Sequence, residues 1–321
     1  MGAEQSVVQD LDNNKTKNNN EIVKYKNTYF KDQYNWIPSF SSINYLQWNK
    51  TSLDRRFDTT QELPNYIDLR NDFPTIRSMF PYPFNPIISV LYILHYQLVK
   101  NGLPVFPPSA MYTYKNMFFY KNVSSIMSFE TIFNSILNNG ICSENDYATN
   151  DTHFEDSSSF DNKLVEKSRS FQFIEIHRVE HKLDVIKTLL KNRIPILCGL
   201  VVYYDMKLVD THMWLPDHNT DEKLGGIAGV LVGYIEERKV FIMSTTHGQS
   251  YGMSGFIFLP YDYILNPLYN MEMYTIDFNK ERVDGYIHQH RDMVVLQNKK
   301  SEKVENEKKF KRDDFGGIFK N

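Results

Sequence analysis

The sequence predicts an α+β protein of two lobes, with a buried central helix in one lobe and an antiparallel sheet in the other. Three observations carry this expectation. Residues 87–100 (IISVLYILHYQLVK) are apolar nearly all round, the pattern of a helix buried on every side. Residues 227–235, 239–244 and 255–259 are short apolar runs of strand length, separated by charged or glycine-containing turns. Helical patterns also come first and strands later, the segregated order of α+β folds.

Residues 1–20 form a polar, Asn-rich leader with no core-forming pattern. Residues 21–62 are aromatic and irregular, with Trp36, Pro38 and Trp48, and read as an extended arm packing on a domain that spans 63–278. Pro86 suits the first turn of the central helix, and Asn101-Gly102 closes it. Ser109 caps a helix over 110–120, and Ser128 caps another over 129–138 that stops at Asn139-Gly140. Residues 149–167 are polar and acidic and read as a surface loop. Residues 171–178 alternate like a strand, 183–191 have a helical period, and 194–204 (IPILCGLVVYY) form a buried strand. Residues 279–321 read as a polar, flexible tail with an apolar tip, Phe315 to Phe319, suited to docking on a partner.

A net charge of −3 gives no electrostatic reason to expect nucleic acid as a partner. The only cysteines are Cys142 and Cys198, and their spacing proposes no disulfide. No apolar run reaches the ~20 residues that span a bilayer, and no secretory signal stands at the start, so a reducing, cytoplasmic location is expected. No cofactor motif is present. Met1-Gly2-Ala3-Glu4-Gln5-Ser6 fits N-myristoylation at Gly2, with a chance match as the competing reading. One such chain binds membrane only marginally, so stable attachment would require a second contact.

The strings at Ile67 to Arg70 with Phe73 to Arg77, Pro108 to Tyr112, Asn139 to Tyr147, Gly225 to Tyr234 and Phe241 to Phe256, in this order, resemble those of the papain-type (C1) cysteine peptidases. Ile67-Asp68-Leu69-Arg70 with Phe73 to Arg77 is similar to that family's mature start. Pro108-Ser109-Ala110-Met111-Tyr112 and Asn139-Gly140-Ile141-Cys142-Ser143-Glu144-Asn145-Asp146-Tyr147 resemble two internal strings, although Ala148 replaces a proline. Gly225-Gly226-Ile227-Ala228 leading to Gly233-Tyr234 resembles the string that carries the catalytic histidine. Phe241 to Gly248, followed by Tyr251-Gly252-Met253-Ser254-Gly255-Phe256, resembles the strand that carries the orienting asparagine.

The resemblance implies a papain-like two-lobed fold over about 63–278 and assigns four positions. Such a site uses a thiolate at the head of the central helix, a histidine, an asparagine that orients it and a glutamine that donates to the oxyanion. Those positions hold Asn85, Ile227, Thr245 and Met79. None can perform the corresponding role, so the expectation is a pseudopeptidase that binds or builds rather than cleaves. Phe84 and His247 are expected to line the former cleft, with a protein or peptide as its occupant. Cys198 reads as a buried small hydrophobe, and Cys142 lies in a loop away from the cleft. His212 and His218 with Asp210 and Asp217 are the one spacing open to a metal reading, and no metal is expected. The Asn- and Lys-rich composition, the acylation pattern and the degenerate site together resemble proteins of large DNA viruses, which suggests a virion component. The alternative is a cysteine-type hydrolase with a displaced site.

Overall fold

The computed structural model describes residues 34–39, 45–78, 82–118, 127–155, 159–171, 173–203 and 219–289. The chain enters through β1 (Leu46–Trp48), α1 (Lys50–Arg56) and β2 (Tyr66–Asp68). A helical stretch follows: α2 (Asn85–Lys100), α3 (Ala110–Phe118), α4 (Phe129–Asn139), α5 (Asp151–Glu155) and α6 (Asn162–Arg169). Then come β3 (Ile174–Val179), α7 (Leu183–Lys191), β4 (Ile196–Tyr203), β5 (Lys223–Ile235), β6 (Val240–Ser244) and β7 (Phe256–Pro260). The last elements are α8 (Tyr261–Leu265), β8 (Asn270–Phe278) and α9 (Lys280–Gln289).

All the strands join one sheet in the order β1-β3-β8-β4-β5-β6-β7, with β2 added beside β5. Every pairing between named strands is antiparallel except that of β1 with β3. Successive side chains on a strand face opposite sides, so a fully buried strand must feed two cores. β5 does this: Ala228, Val230 and Val232 pack with the helices α2 to α4, whereas Ile227, Leu231 and Tyr234 join a second core with α1, α7 and α8. The expected two-part α+β arrangement is therefore present, with α2 buried along almost its whole length.

Three regions differ from the sequence expectation. Residues 149–167 contain α5 and most of α6 rather than a loop; Asp161 caps α6, accepting from Lys163 N at 3.3 Å. Within the expected arm, residues 45–57 are an integral part of the sheet lobe. β1 pairs with β3, and Trp48 and Leu53 are buried in the second core. The packed body also runs past residue 278. α9 turns Val283 and Tyr286 inward, with Tyr286 against Phe171 and Phe173 at ring separations of 5.4 and 5.8 Å. Their spacing of three residues is a helical period too short to stand out among charged neighbours.

Tyr286→Ala is expected to lower unfolding stability by about 3 kcal/mol, because it empties a buried aromatic site. Chemical denaturation of the full chain checks this. A change below about 0.5 kcal/mol would show that α9 contributes nothing to the core.

Candidate functional site

The head of α2 lies at the seam between the helices and the sheet. No side chain caps this helix at Phe84, and Pro86 occupies its first turn. Asn85 instead reaches across to β5. Its Nδ2 donates to Ala228 O at 3.0 Å and to Thr246 Oγ1 at 2.9 Å, while its Oδ1 accepts from Ala228 N at 2.7 Å. The β5–β6 ladder pairs Val230 with Ser244, so the next rung would set Ala228 opposite Thr246. The Asn85 amide occupies that rung, supplying donor and acceptor together as a peptide group would.

The other expected site residues are distributed around this point. Thr245 is buried, and its hydroxyl donates to Gly255 O at 2.9 Å. Ile227 faces away from Asn85 and lines a cavity of about 10 Å³ with Leu200, Met243 and Ile257, too small to hold more than a water. Phe84 is completely buried and packs at 4.7 Å from the Tyr114 ring, so it belongs to the core rather than to a cleft wall. His247 stacks on Tyr251 at 4.5 Å and pairs with Ser78 by a β-bridge. Burial pushes its imidazole pKa down. Met79, Gly2, the carboxyl-terminal tip and the loop with His212 and His218 lie outside the described residues. Among the described residues no group of three or more His, Cys, Asp or Glu is placed to hold a metal.

Both thiols are sequestered. Cys198 is fully buried in β4, and desolvation raises its pKa steeply. Desolvation pushes the Cys142 thiol up to about 12. Neither environment favours a thiolate, the reactive form.

What lies along the seam is legible in the sequence only as part of an extended aromatic arm. Residues 34–39 run between the lobes in extended form, pairing in parallel with Gly226 on one side and Met127 on the other. Trp36 N donates to Gly226 O and Ile37 N to Met127 O, each at 3.0 Å, and Met127 N donates to Asn35 O at 2.8 Å. The Asn35 amide donates to Pro83 O, just upstream of the helix head. The Trp36 indole lies on Gly199, where any Cβ would come within 2.0 Å of the ring, and against Phe129 at 5.4 Å. At the far end, Ser39 N and Oγ donate to the two oxygens of Glu272 at 2.9 and 3.2 Å. Glu272 is a buried carboxylate, and desolvation raises its pKa. One sequence cue was available: a glycine inside an otherwise apolar strand, as at Gly199, marks a close approach of another group.

No family model matches the sequence. An uncharacterized peptidase C1-like protein of Acanthamoeba polyphaga mimivirus is 25% identical over 180 residues, 52% of this chain. The match spans 58% of that relative's length. Xylellain, a cysteine protease from Xylella fastidiosa, superposes with a TM-score of 0.65 at 20% identity, over 78% of this chain and 97% of its own. A digestive procathepsin L 3 of Tenebrio molitor larval midgut gives 0.57 at 13% identity, over 79% of each chain. A procathepsin B S9 from Trypanosoma congolense gives 0.58 at 16% identity, over 78% of this chain and 88% of its own. The fold is papain-like, as the sequence resemblance implied.

Two outcomes follow from this geometry. Asn85→Ala leaves the Ala228 N–H and C=O without their partner in a buried seam, and is expected to cost about 2–4 kcal/mol in denaturation. Gly199→Ala is expected to unseat Trp36 while the sheet persists. Hydrogen exchange of residues 34–39 would then rise by about tenfold or more, and unchanged exchange would contradict the described packing.

Proposed function

We propose that this chain is a papain-fold protein without peptidase chemistry, acting as a binding or structural component. The observation that carries this reading is the engagement of Asn85. At the helix head, where the resemblance calls for a thiolate, stands a carboxamide whose nitrogen lone pair is delocalised and whose two polar atoms bond Ala228 and Thr246. Ile227 supplies no base, and its side chain is turned into the second core. Thr245 spends its hydroxyl on Gly255 O, and Met79 has no hydrogen to donate to an oxyanion.

Burial of both thiols argues against a displaced cysteine nucleophile. The segment lying in the seam supports the binding side of the proposal. Residues 34–39 are held there largely through main-chain bonds, the mode by which extended peptides add to sheet edges. A protein or peptide partner of this groove would have to replace that segment. The viral C1-like relative supports a setting in a large DNA virus, and the Gly2 motif supports a membrane tether, both as part of the same proposal.

Purified full-length protein, treated with an electrophilic probe for papain-type thiols and with fluorogenic peptides, is expected to give neither labelling nor turnover. Labelling that disappears in Cys198→Ala would overturn the non-catalytic reading in favour of a displaced site. Intact mass of the protein made in eukaryotic cells reads acylation separately. Loss of Met1 with addition of one myristoyl group supports the tether, and an unmodified Gly2 removes it.

A further inference from the structure

We propose that residues 45–57, comprising β1 and α1, form an acid-released strap on the sheet lobe, with His177 of β3 as its sensor. The strap is held through Trp48. Its indole is buried in the second core, donates from Nε1 to Thr275 Oγ1 at 2.9 Å, and stacks on the His177 ring at 4.9 Å with the planes 30° apart. His177 is the residue opposite Leu46 in the β1–β3 pairing, so its side chain lies on the same face of the sheet as Leu46 and Trp48.

The geometry around this imidazole suits only its neutral form. Nδ1 is buried and has no hydrogen-bond partner among the described residues. As a bare lone pair it is tolerated. As an N–H on a charged ring it would be a buried donor with no acceptor, the arrangement that proteins avoid most strongly.

The charged groups facing the ring come from three elements: Arg56 on α1, Glu175 on β3 itself and Asp277 on β8. Arg56 disfavours a second positive charge, whereas the two carboxylates favour it. Asp277 is already engaged by Arg56 Nη2 at 3.0 Å, and Glu175 accepts from Asn279 Nδ2 at 2.7 Å. Arg56 also lies over the Trp48 ring, 5.2 Å from its centroid, and so already uses the cation-binding capacity of that indole. Burial is the largest influence, and the pKa of docked His177 is lowered from its ordinary value of 6.5.

The sign follows. The undocked strap leaves His177 in water, where it takes up a proton below about pH 6.5; the docked state binds that proton less well. Docking is therefore at full strength above the undocked pKa and weakens as pH falls through it, by up to about tenfold per pH unit. The segment 34–39 precedes the strap in the chain, so release removes the anchorage on its carboxyl side.

Hydrogen exchange of the full-length protein, corrected for the intrinsic pH dependence of exchange, tests this. Between about pH 7.5 and about pH 5.5, protection of peptides covering 45–57 is expected to fall, by at most about tenfold, with α2 and β4 unaffected. His177→Phe keeps a ring under Trp48 without a titrating group, and its strap protection is expected to change by less than about twofold over the same range. Constant protection in the wild type, a parallel loss in His177→Phe, or a simultaneous loss in α2 and β4 would each overturn the proposal. Should His177→Phe fail to fold, the wild-type imidazole titration followed by NMR, assigned with His177→Gln, decides. A midpoint below 6.5 supports the strap sensor, and one at or above 6.5 sinks it.

Discussion

The seam between helices and sheet depends on one side chain inserted into a β-ladder. β5 and β6 pair as far as Val230 and Ser244 and then part, which would leave the Ala228 peptide groups buried and unmatched. A buried, unpaired peptide group costs roughly 1–3 kcal/mol, so something must fill the rung. Asn85 fills it from the head of α2, on the opposite layer. The same contact fixes the register of the central helix against the sheet. It also gives the helix a lateral hold that its uncapped amino terminus lacks. Ser89 Oγ, donating back to Asn85 O at 3.0 Å, ties this residue to the next turn. A small amide is the one side chain that offers donor and acceptor in the geometry of a peptide unit. Asn85 therefore has a structural use of its own at the head of this helix.

The elements legible in the sequence were those whose burial is uniform. α2 is apolar on all faces and follows a proline, and β4 is an uninterrupted apolar run. Both are recognised by composition over a short window. β8 escaped because buried polar residues interrupt its apolar ones: Glu272, Thr275 and Asp277 lie within NMEMYTIDF among the core residues Met273, Tyr274, Ile276 and Phe278, each of the three satisfied by a partner far away in the chain. α6 escaped for the opposite reason, since it buries only Ser168 and looks like a solvated segment.

The seam was legible in part. The ordered strings located Asn85, Ile227 and Thr245 near one another, because a fold-level resemblance carries long-range information that periodicity does not. It did not reveal that Thr246 rather than Thr245 meets Asn85, nor that Ile227 turns into the opposite core. A strand side chain changes face with every residue, so an uncertainty of one position inverts the reading. Residues 34–39 were legible only as part of an extended arm packing on the domain, without their seat between Gly226 and Met127. Trp36 meets Gly199 and Gly226 across more than half the chain, and only the glycines hint that something must approach.

How firmly that segment is seated can be judged from opposing magnitudes. Ordering six residues, 34–39, costs roughly 1–2 kcal/mol each in backbone freedom, about 6–12 kcal/mol in all. Burying Trp36 returns roughly 4–6 kcal/mol for about 150–250 Å² of apolar surface. The bonds to Gly226, Met127, Pro83 and Glu272 add roughly 1 kcal/mol each. Against this, Trp36 Nε1 is buried without an acceptor among the described residues, at a cost of roughly 1–3 kcal/mol. The two sides are of similar size. The segment therefore relies on the neighbouring β1 and α1 to hold it near its seat, because a tethered end reduces the freedom it must surrender. An occupant held by backbone bonds, with one orphaned donor and its anchorage elsewhere, is suited to displacement once that anchorage loosens. It is not suited to permanent closure of the groove.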